Sequence, residues 1–355
     1  MSATRQRPFR RVLSTVACVA GAAVLVTGCT SNSPSSSASS SGSSGGGGTA
    51  SSNNDAAGQQ ITIGFSAPAA DHGWMAAITN DAKATAGKYP DVKLDVAAGT
   101  NDVNTQISQV ETFINQKVSA IVLLPFDGAA LTPVAQKAMD AGIPVINVDR
   151  QFDSVTAARA TVLGDNYGMG RSAGTYICDR LKGKPNAVVA EIAGIDSLPL
   201  TQDRSRGFKE ALATCGLKVN NRVAAEFTVE SGEAAASNLL QAAPHIDAIW
   251  NHDDDQGVGV MAAVKNSGRK DFFMVGGAGS ANAMRSIKAG DTPLQATVIY
   301  PSTQGADAVK IARLIAQKKA MSDLVEIEVP KTITLTAPVV TKDNVDQYLG
   351  SAFES

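Results

Sequence analysis

From Gln60 onward the chain alternates short β-branched, apolar runs with stretches at helical spacing, and that alternation leaves few folds open. "QQITIGFSA" reads as a strand and "WMAAITNDAKATAGK" as a helix. "VKLDVAAG" is the next strand. "VNTQISQVETFINQK" follows as a helix, with Ile107, Val110, Phe113 and Ile114 on one stripe. "VSAIVLLP" is apolar almost throughout, as a strand covered on both faces must be. "LTPVAQKAMDAG" is helical and ends at Gly142, a residue suited to the position after a helix. "IPVINVD" closes the first series.

The alternation then starts afresh. "ATVLGD" leads into the helix "YGMGRSAGTYICDRLKG", and strands "NAVVAEIAG", "VAAEFTVE", "DAIWNHD", "FFMVGGAG" and "LQATVIY" follow with helices between them. A long helix, "TQGADAVKIARLIAQKK", precedes the strand-like "LVEIEVPKTITLTAPVVT". Strict β-α alternation calls for parallel sheets with helices on both faces. The expected class is α/β, with two doubly wound parallel-sheet lobes of similar size.

The segment before Gln60 cannot join such a core. Arg5, Arg7, Arg10 and Arg11 form a basic start, and an apolar run from Val12 to Val26 follows. That run is short for a membrane span, which needs about 20 apolar residues, and matches a secretory signal. Val26-Thr27-Gly28-Cys29 resembles a bacterial lipobox, in which the cysteine becomes the acylated first residue of the mature chain. The expectation is a signal peptide over 1–28, with diacylglycerol and palmitate on Cys29. Residues 29–59, a Ser/Gly tract, would then form a tether averaging about 30 Å. The protein would sit on the extracytoplasmic face of the cell membrane, held through its lipid alone.

Charge and cysteines narrow the function. Loss of the four arginines takes the formal net charge from −2 to −6, because the first acid is Asp55. A mildly acidic body offers no footprint for nucleic acid. Cys18 lies in the signal and Cys29 is the lipid site, which leaves Cys178 and Cys215. Two cysteines in an exported protein suggest one disulfide. They fall late in two helices flanking the single strand "NAVVAEIAG", which right-handed crossovers set side by side.

In open α/β sheets, ligands bind beyond the carboxyl ends of the strands. Asp71, His72 and Trp74 follow the first strand, Asp149 and Arg150 the fourth, Asp165 and Asn166 the fifth. Asp196 and Arg204 follow the sixth, Phe227 the seventh, Asp253, Asp254 and Asp255 the eighth, and Tyr300 the tenth. Asp254 or Asp255 is expected to cap its helix. Carboxylates accept from sugar hydroxyls, arginine and asparagine donate to them, and aromatic faces pack on the C–H side of a ring. The set Asp71, His72, Trp74, Asp149, Arg150, Asn166, Arg204, Phe227, Asp253 and Tyr300 therefore suits a polyhydroxylated ligand.

"INVDR" at 146–150, "LGDNYGMGRSAGTYI" at 163–177, "DRSRGF" at 203–208, "DAIWNHDDDQGVGVMAAVKNSG" at 247–268 and "VGGAG" at 275–279 resemble the ribose-binding-like family. These are the substrate-binding proteins of bacterial ABC sugar importers. The resemblance covers about residues 60–330. It implies a periplasmic binding protein type I fold, a Venus flytrap, with three hinge crossovers. The N-terminal lobe would be 60–164 plus 301–329 and the C-terminal lobe 165–300 plus 330–355. The hinges would lie near Gly164-Asp165, Tyr300-Pro301 and Val329-Pro330. It implies a monomer that delivers a sugar or sugar alcohol to ABC transporter permease subunits; the alternative is a tethered sensor presenting its liganded form to a membrane receptor. By similarity Trp74 and Phe227 stack on the ligand, and Asp149, Arg150 and Arg204 grip hydroxyls. Asp253 stands where the family has asparagine, Ala278 replaces an aspartate, and Tyr300 replaces a glutamine. Pentose, hexose, furanose and sugar alcohol all stay open.

No enzyme is expected. His72, His245 and His252 are the three histidines, and His245 in its Pro-His turn should face solvent. P-loop and G-x-G-x-x-G signatures are missing, "GMGRSAG" has the wrong spacing for the last, and its G-R-S-A-G at 170–174 falls within a helix rather than at the strand-to-helix elbow of a G-x-S-x-G nucleophile. No His/Cys cluster suits zinc, and "DDD" lacks the glycine and distal glutamate of a calcium loop. No cofactor or metal is expected.

Overall fold

The structure, a computed structural model, describes Asn54 and residues 56–319 and 329–355. The signal, lipid-site and tether assignments up to residue 53 lie outside the described residues, as does the strand-like start at Leu324. No described helix is long and apolar enough to cross a membrane.

The described residues form two six-stranded sheets. The first contains β1 (Ile61–Ser66), β2 (Val92–Val96), β3 (Ala120–Leu123), β4 (Val145–Val148), β5 (Ala160–Gly164) and β11 (Thr332–Leu335), in the order β11-β5-β4-β3-β1-β2. All its pairings are parallel. The second contains β6 (Val189–Ala193), β7 (Val219–Ala224), β8 (Ala248–Asn251), β9 (Phe273–Ala278), β10 (Leu294–Ile299) and β12 (Val339–Thr341), in the order β12-β10-β9-β8-β6-β7. Only β12 runs antiparallel, at an edge. The central strands β3, β4, β6 and β8 are buried along their whole length, which explains their continuous apolar runs.

The helices that position functional side chains are α1 (Gly73–Ala86), α2 (Val103–Asn115) and α3 (Gly128–Asp140) in the first lobe. The second lobe carries α4 (Asn166–Arg180), α5 (Pro199–Thr214), α6 (Val229–Ala242), α7 (Asp254–Ser267) and α8 (Ala281–Ala289). The chain returns through α9 (Gln304–Ala316), which packs against α1 and β3 to β5, so it belongs to the first lobe. A short α10 (Val345–Tyr348) ends the described helices. Helices α4 and α5 meet almost backbone to backbone: a Cβ added at Gly170 would stand 2.0 Å from the Arg204 carbonyl oxygen. Glycine at 170 lets α5 approach closely enough to set where Arg204 projects.

Two details differ from the sequence expectation. The seventh strand is Val219–Ala224, earlier than the "VAAEFTVE" stretch. As an edge strand it alternates half-buried with exposed residues, so "VNNRVA" carries little apolar signal. The tail from 330 does not pass directly into the second lobe. Thr332–Leu335 pairs with Thr161–Gly164 in the first sheet, so the third crossover falls at Thr336–Pro338, not at Val329–Pro330.

Cys178 and Cys215, late in α4 and at the end of α5, form a disulfide with Cα atoms 6.0 Å apart. The bond closes a loop of 37 residues. Cys178→Ser with Cys215→Ser should therefore cost roughly 2–4 kcal/mol of stability. Urea unfolding of the double variant checks this; a midpoint equal to that of the parent would contradict it.

Candidate functional site

Beside a cavity of about 370 Å³, with which it shares Asp149, Arg150 and Leu200, the strand ends of the two lobes meet around a smaller one. Its walls are His72, Trp74, Met75, Asp149, Arg150, Leu200, Arg204, Phe227, Asp253 and Tyr300. The space left among them is about 20 Å³, roughly what one water needs.

Backbone geometry aims several of these side chains. Asp149 follows β4 with φ 62°, and Phe227 follows β7 with φ 64°. Left-handed backbone is uncommon outside glycine and is held by its surroundings where it occurs. At Asp149 the tight turn is closed by the Arg150 N–H on the Val148 carbonyl at 2.7 Å. Phe227 donates its N–H to Gln256 Oε1 at 3.2 Å. Ala278, at the end of β9, also has positive φ, 81°. It lies beside Tyr300 in a neighbouring cavity of about 100 Å³ rather than in the walls of the first one.

Trp74 occupies the first turn of α1 and is 5% exposed. Its backbone N–H donates to Asp255 Oδ2 at 2.9 Å and its indole N–H to the Tyr300 carbonyl at 3.1 Å. The first of these bonds joins the two lobes. His72 precedes α1, with Nδ1 2.5 Å from Asp71 Oδ1. Asp71 itself points outward, bonded to Asn101, and is not a wall of the cavity.

Arg150 donates through Nη1 to the Phe126 carbonyl at 2.6 Å and lies over the Phe126 ring at 5.7 Å. Its Nε is buried with no hydrogen-bond partner, 3.9 Å from Asp149 Oδ2. Burial pulls the guanidinium below its usual range, against the raising effect of Asp149. Arg204 reaches in from α5 and is 3% exposed. Its Nε donates to Asn166 Oδ1 at 2.8 Å and its Nη1 to the His252 carbonyl at 3.2 Å. The guanidinium lies 4.5 Å from the Tyr300 ring centre and 5.8 Å from that of Phe227. Asn166 is therefore held between Arg204 and Tyr300, one bond removed from the cavity.

The three consecutive aspartates divide their work. Asp253, not Asp254 or Asp255, caps α7: its Oδ1 accepts from the N–H groups of Asp255 and Gln256. The helix begins one residue earlier than the sequence suggested, so the first aspartate holds the cap. Burial, then the neighbouring Asp255 and Asp254, push the Asp253 carboxyl well above the ordinary carboxylate range. Asp254 turns into the second lobe, where its oxygens accept from the N–H groups of Gly277, Gly279 and Ser280 and from the Thr297 hydroxyl. Burial pushes its carboxyl up to about 7 against the pull of those donors. Asp255 accepts from Trp74 across the cleft.

Of the ten residues expected to bind ligand, eight line the cavity, Asn166 supports it and Asp71 lies outside. Met75 and Leu200 were not singled out, and Asp255 was read only as a candidate cap. Leu200 follows Pro199 at the start of α5, and that Pro-initiated helix was the available signal. His245 is 56% exposed. His252 is fully buried behind Arg204, with Nε2 2.9 Å from Glu191 Oε1. Among the described residues, no group of three His, Cys, Asp or Glu side chains could hold a metal ion.

A family model described as "Periplasmic binding protein domain" matches residues 63–320, most of the folded body. The chain belongs to that family. It is 32% identical over 240 residues to the ribose import binding protein of Bacillus subtilis (strain 168), covering 68% of this chain and 76% of that one. A xylitol-binding protein of Mycolicibacterium smegmatis is 28% identical, covering 74% of this chain and 72% of its own length. Among solved structures, a galactofuranose binding protein superposes with a TM-score of 0.73 at 26% identity, covering 82% of this chain and 97% of that one. The fructose binding periplasmic domain of a hybrid two component system gives 0.72 at 27% identity, covering 82% and 93%. These likenesses, with the two doubly wound lobes, make this a periplasmic binding protein of type I. The relatives are binding proteins, not enzymes.

Proposed function

We propose that this protein captures a sugar or sugar alcohol between its two lobes and delivers it to the permease of an ABC importer. One observation carries the reading. Aromatic rings, carboxylates and guanidinium groups from the strand ends of both lobes line a single cavity. A polyhydroxylated ligand offers donors to Asp149 and Asp253, acceptors to Arg150 and Arg204, and a C–H face to Trp74 and Phe227. The buried, unpartnered Arg150 Nε supplies a donor that such a ligand would satisfy. The cavity of about 20 Å³ is far below the roughly 300–1,000 Å³ of ordinary small-molecule sites, but it shares Asp149, Arg150 and Leu200 with a neighbouring cavity of about 370 Å³ that also takes in Asn166.

A thermal-shift screen of monosaccharides and polyols tests this. A true ligand at a hundred times its Kd adds about 2.7 kcal/mol of stability. No shift with any pentose, hexose, furanoside or polyol would contradict the reading. The sensor alternative has one observation in its favour, the likeness to a sugar-binding domain of a two component system. Binding of the liganded protein to a permease in membrane vesicles separates the two.

The anchoring belongs to the same proposal. Signal peptidase II is expected to cut before Cys29 and leave it acylated, on the motif Val26-Thr27-Gly28-Cys29. Mass spectrometry of the mature N-terminus checks this; an unmodified terminus downstream of Cys29 would overturn it.

A further inference from the structure

Helix α1 begins without a cap of its own. His72, the residue before it, makes no side-chain bond to the first turn, and no acid stands in that turn. The His72 ring turns to Asp71 instead. A helix start leaves its first N–H groups without partners inside the helix, and the Trp74 N–H among them is buried. Its partner comes from the other lobe: Asp255 Oδ2 accepts from it at 2.9 Å. Asp255 is 3% exposed and stands in the first turn of α7. One carboxylate therefore faces the N-terminal ends of two helices, each of which favours negative charge.

The C-terminal residues close on the same point. The Phe353 carbonyl accepts from the Ala281 N–H at 2.7 Å, Asn282 Nδ2 donates to the Ser355 carbonyl at 3.0 Å, and Arg285 Nη1 donates to the Glu354 carboxylate at 3.0 Å. These bonds fasten the tail to α8 of the second lobe. It passes over Gly73 of the first lobe at very short range. A Cβ added at Gly73 would stand 2.3 Å from the Glu354 carbonyl oxygen and 2.7 Å from Asp255 Oδ1. Gly73 and Asp255 line neither the cavity of about 20 Å³ nor the one of about 370 Å³.

From this we infer that the first turn of α1 is the closure latch of the protein: Asp255 caps it across the cleft and the bare backbone of Gly73 seats the tail, so these two positioning residues set the affinity for every ligand without touching one. The inference rests on reading the cleft as a site that closes on a sugar. Parting the lobes takes the carboxylate away and leaves the turn to water; closing them restores the bond. Affinity for a ligand of the closed form scales with the fraction of protein able to close. A latch residue therefore weakens all ligands by one factor, whereas a wall residue weakens each by its own.

Calorimetry of the full chain with D-ribose, D-fructose, xylitol and myo-inositol tests this. Asp255→Ala is expected to weaken every probe that binds the parent by about tenfold, the effect of losing a cap and leaving a buried N–H unpaired. Gly73→Ala should do the same, because its methyl group displaces the carboxylate and the tail. Without ligand, Gly73→Ala should unfold at or above the midpoint of the parent, since alanine is favoured over glycine in a helix. That separates loss of closure from loss of fold, and it carries the test alone if Asp255→Ala unfolds early. The double variant should stay within about threefold of the weaker single variant, because both changes release the same latch. Either single variant binding like the parent would overturn the inference and leave the sugar site standing. So would factors that differ from probe to probe, or a double variant weakened about a hundredfold as independent effects would give. Failure of all four probes to bind the parent would overturn both.

Discussion

Arg204→Ala is expected to weaken sugar binding by about 2–5 kcal/mol, between roughly thirtyfold and several thousandfold. The guanidinium is 3% exposed, so its contacts are made in the absence of competing water. Its Nε and Nη1 are spent within the second lobe on Asn166 and His252. Nη2 remains to reach a ligand. Truncation removes that donor and also releases Asn166 and uncovers the Tyr300 ring. Asp149→Ala, from the opposite lobe, should lose a comparable amount, because it deletes an acceptor at a strained position built to present it. Calorimetry with the ligand found by thermal shift gives both values. Either variant binding like the parent, with an unchanged unfolding curve, would show that the ligand does not sit between these two residues.

Asp91→Ala should destabilise the first lobe by about 3–5 kcal/mol, the cost of leaving one member of a buried ion pair alone. Asp91 lies between α1 and β2 and is 1% exposed; Arg313 of α9 is 2% exposed. Arg313 donates to it twice, through Nε at 3.1 Å and Nη2 at 2.8 Å, and rests on the Tyr89 ring at 4.2 Å. Gln317 and the Gly58 N–H complete the carboxylate's partners. The Arg313 hydrogen bonds, foremost, hold the Asp91 carboxyl far below its ordinary 3.8. The sign follows from proton linkage. The unfolded chain binds this proton more readily, so the stabilisation is fully present above the unfolded pKa and is lost as acid is added below about pH 4. Urea unfolding at pH 7 and pH 3.5 should show the gap between parent and Asp91→Ala shrinking at the lower pH. A gap that widens in acid, or none at pH 7, would contradict the assignment.

The fold was legible where burial imposes a pattern. β3, β4, β6 and β8 are covered on both faces, and their sequences are apolar without interruption. The edge strand β7 leaves every second residue exposed, so its sequence gave no comparable signal and its position was read too late in the chain. The third crossover was misplaced for a different reason. "VPKTITLTAPVV" contains two prolines, and either could mark a break; pairing of Thr332–Leu335 with β5 decides for the second, and pairing is a tertiary fact.

In the candidate site, residue types at successive strand ends pointed to most of the cavity wall. Which aspartate of three caps α7 depends on where the helix starts, to the residue, and composition does not fix that. That Tyr300 bridges Asp149 and Asn166 depends on a side-chain direction across a lobe boundary, which no local pattern encodes.

Closure remains the physical core of the account. A ligand held by both lobes binds the closed form better than the open one, and shifts the population by that difference. Small-angle X-ray scattering with and without the ligand tests it directly. A smaller radius of gyration is expected when ligand is bound, as the lobes turn about Gly164–Asp165, Tyr300–Pro301 and Thr336–Pro338. An unchanged radius, with binding confirmed independently by calorimetry, would contradict it.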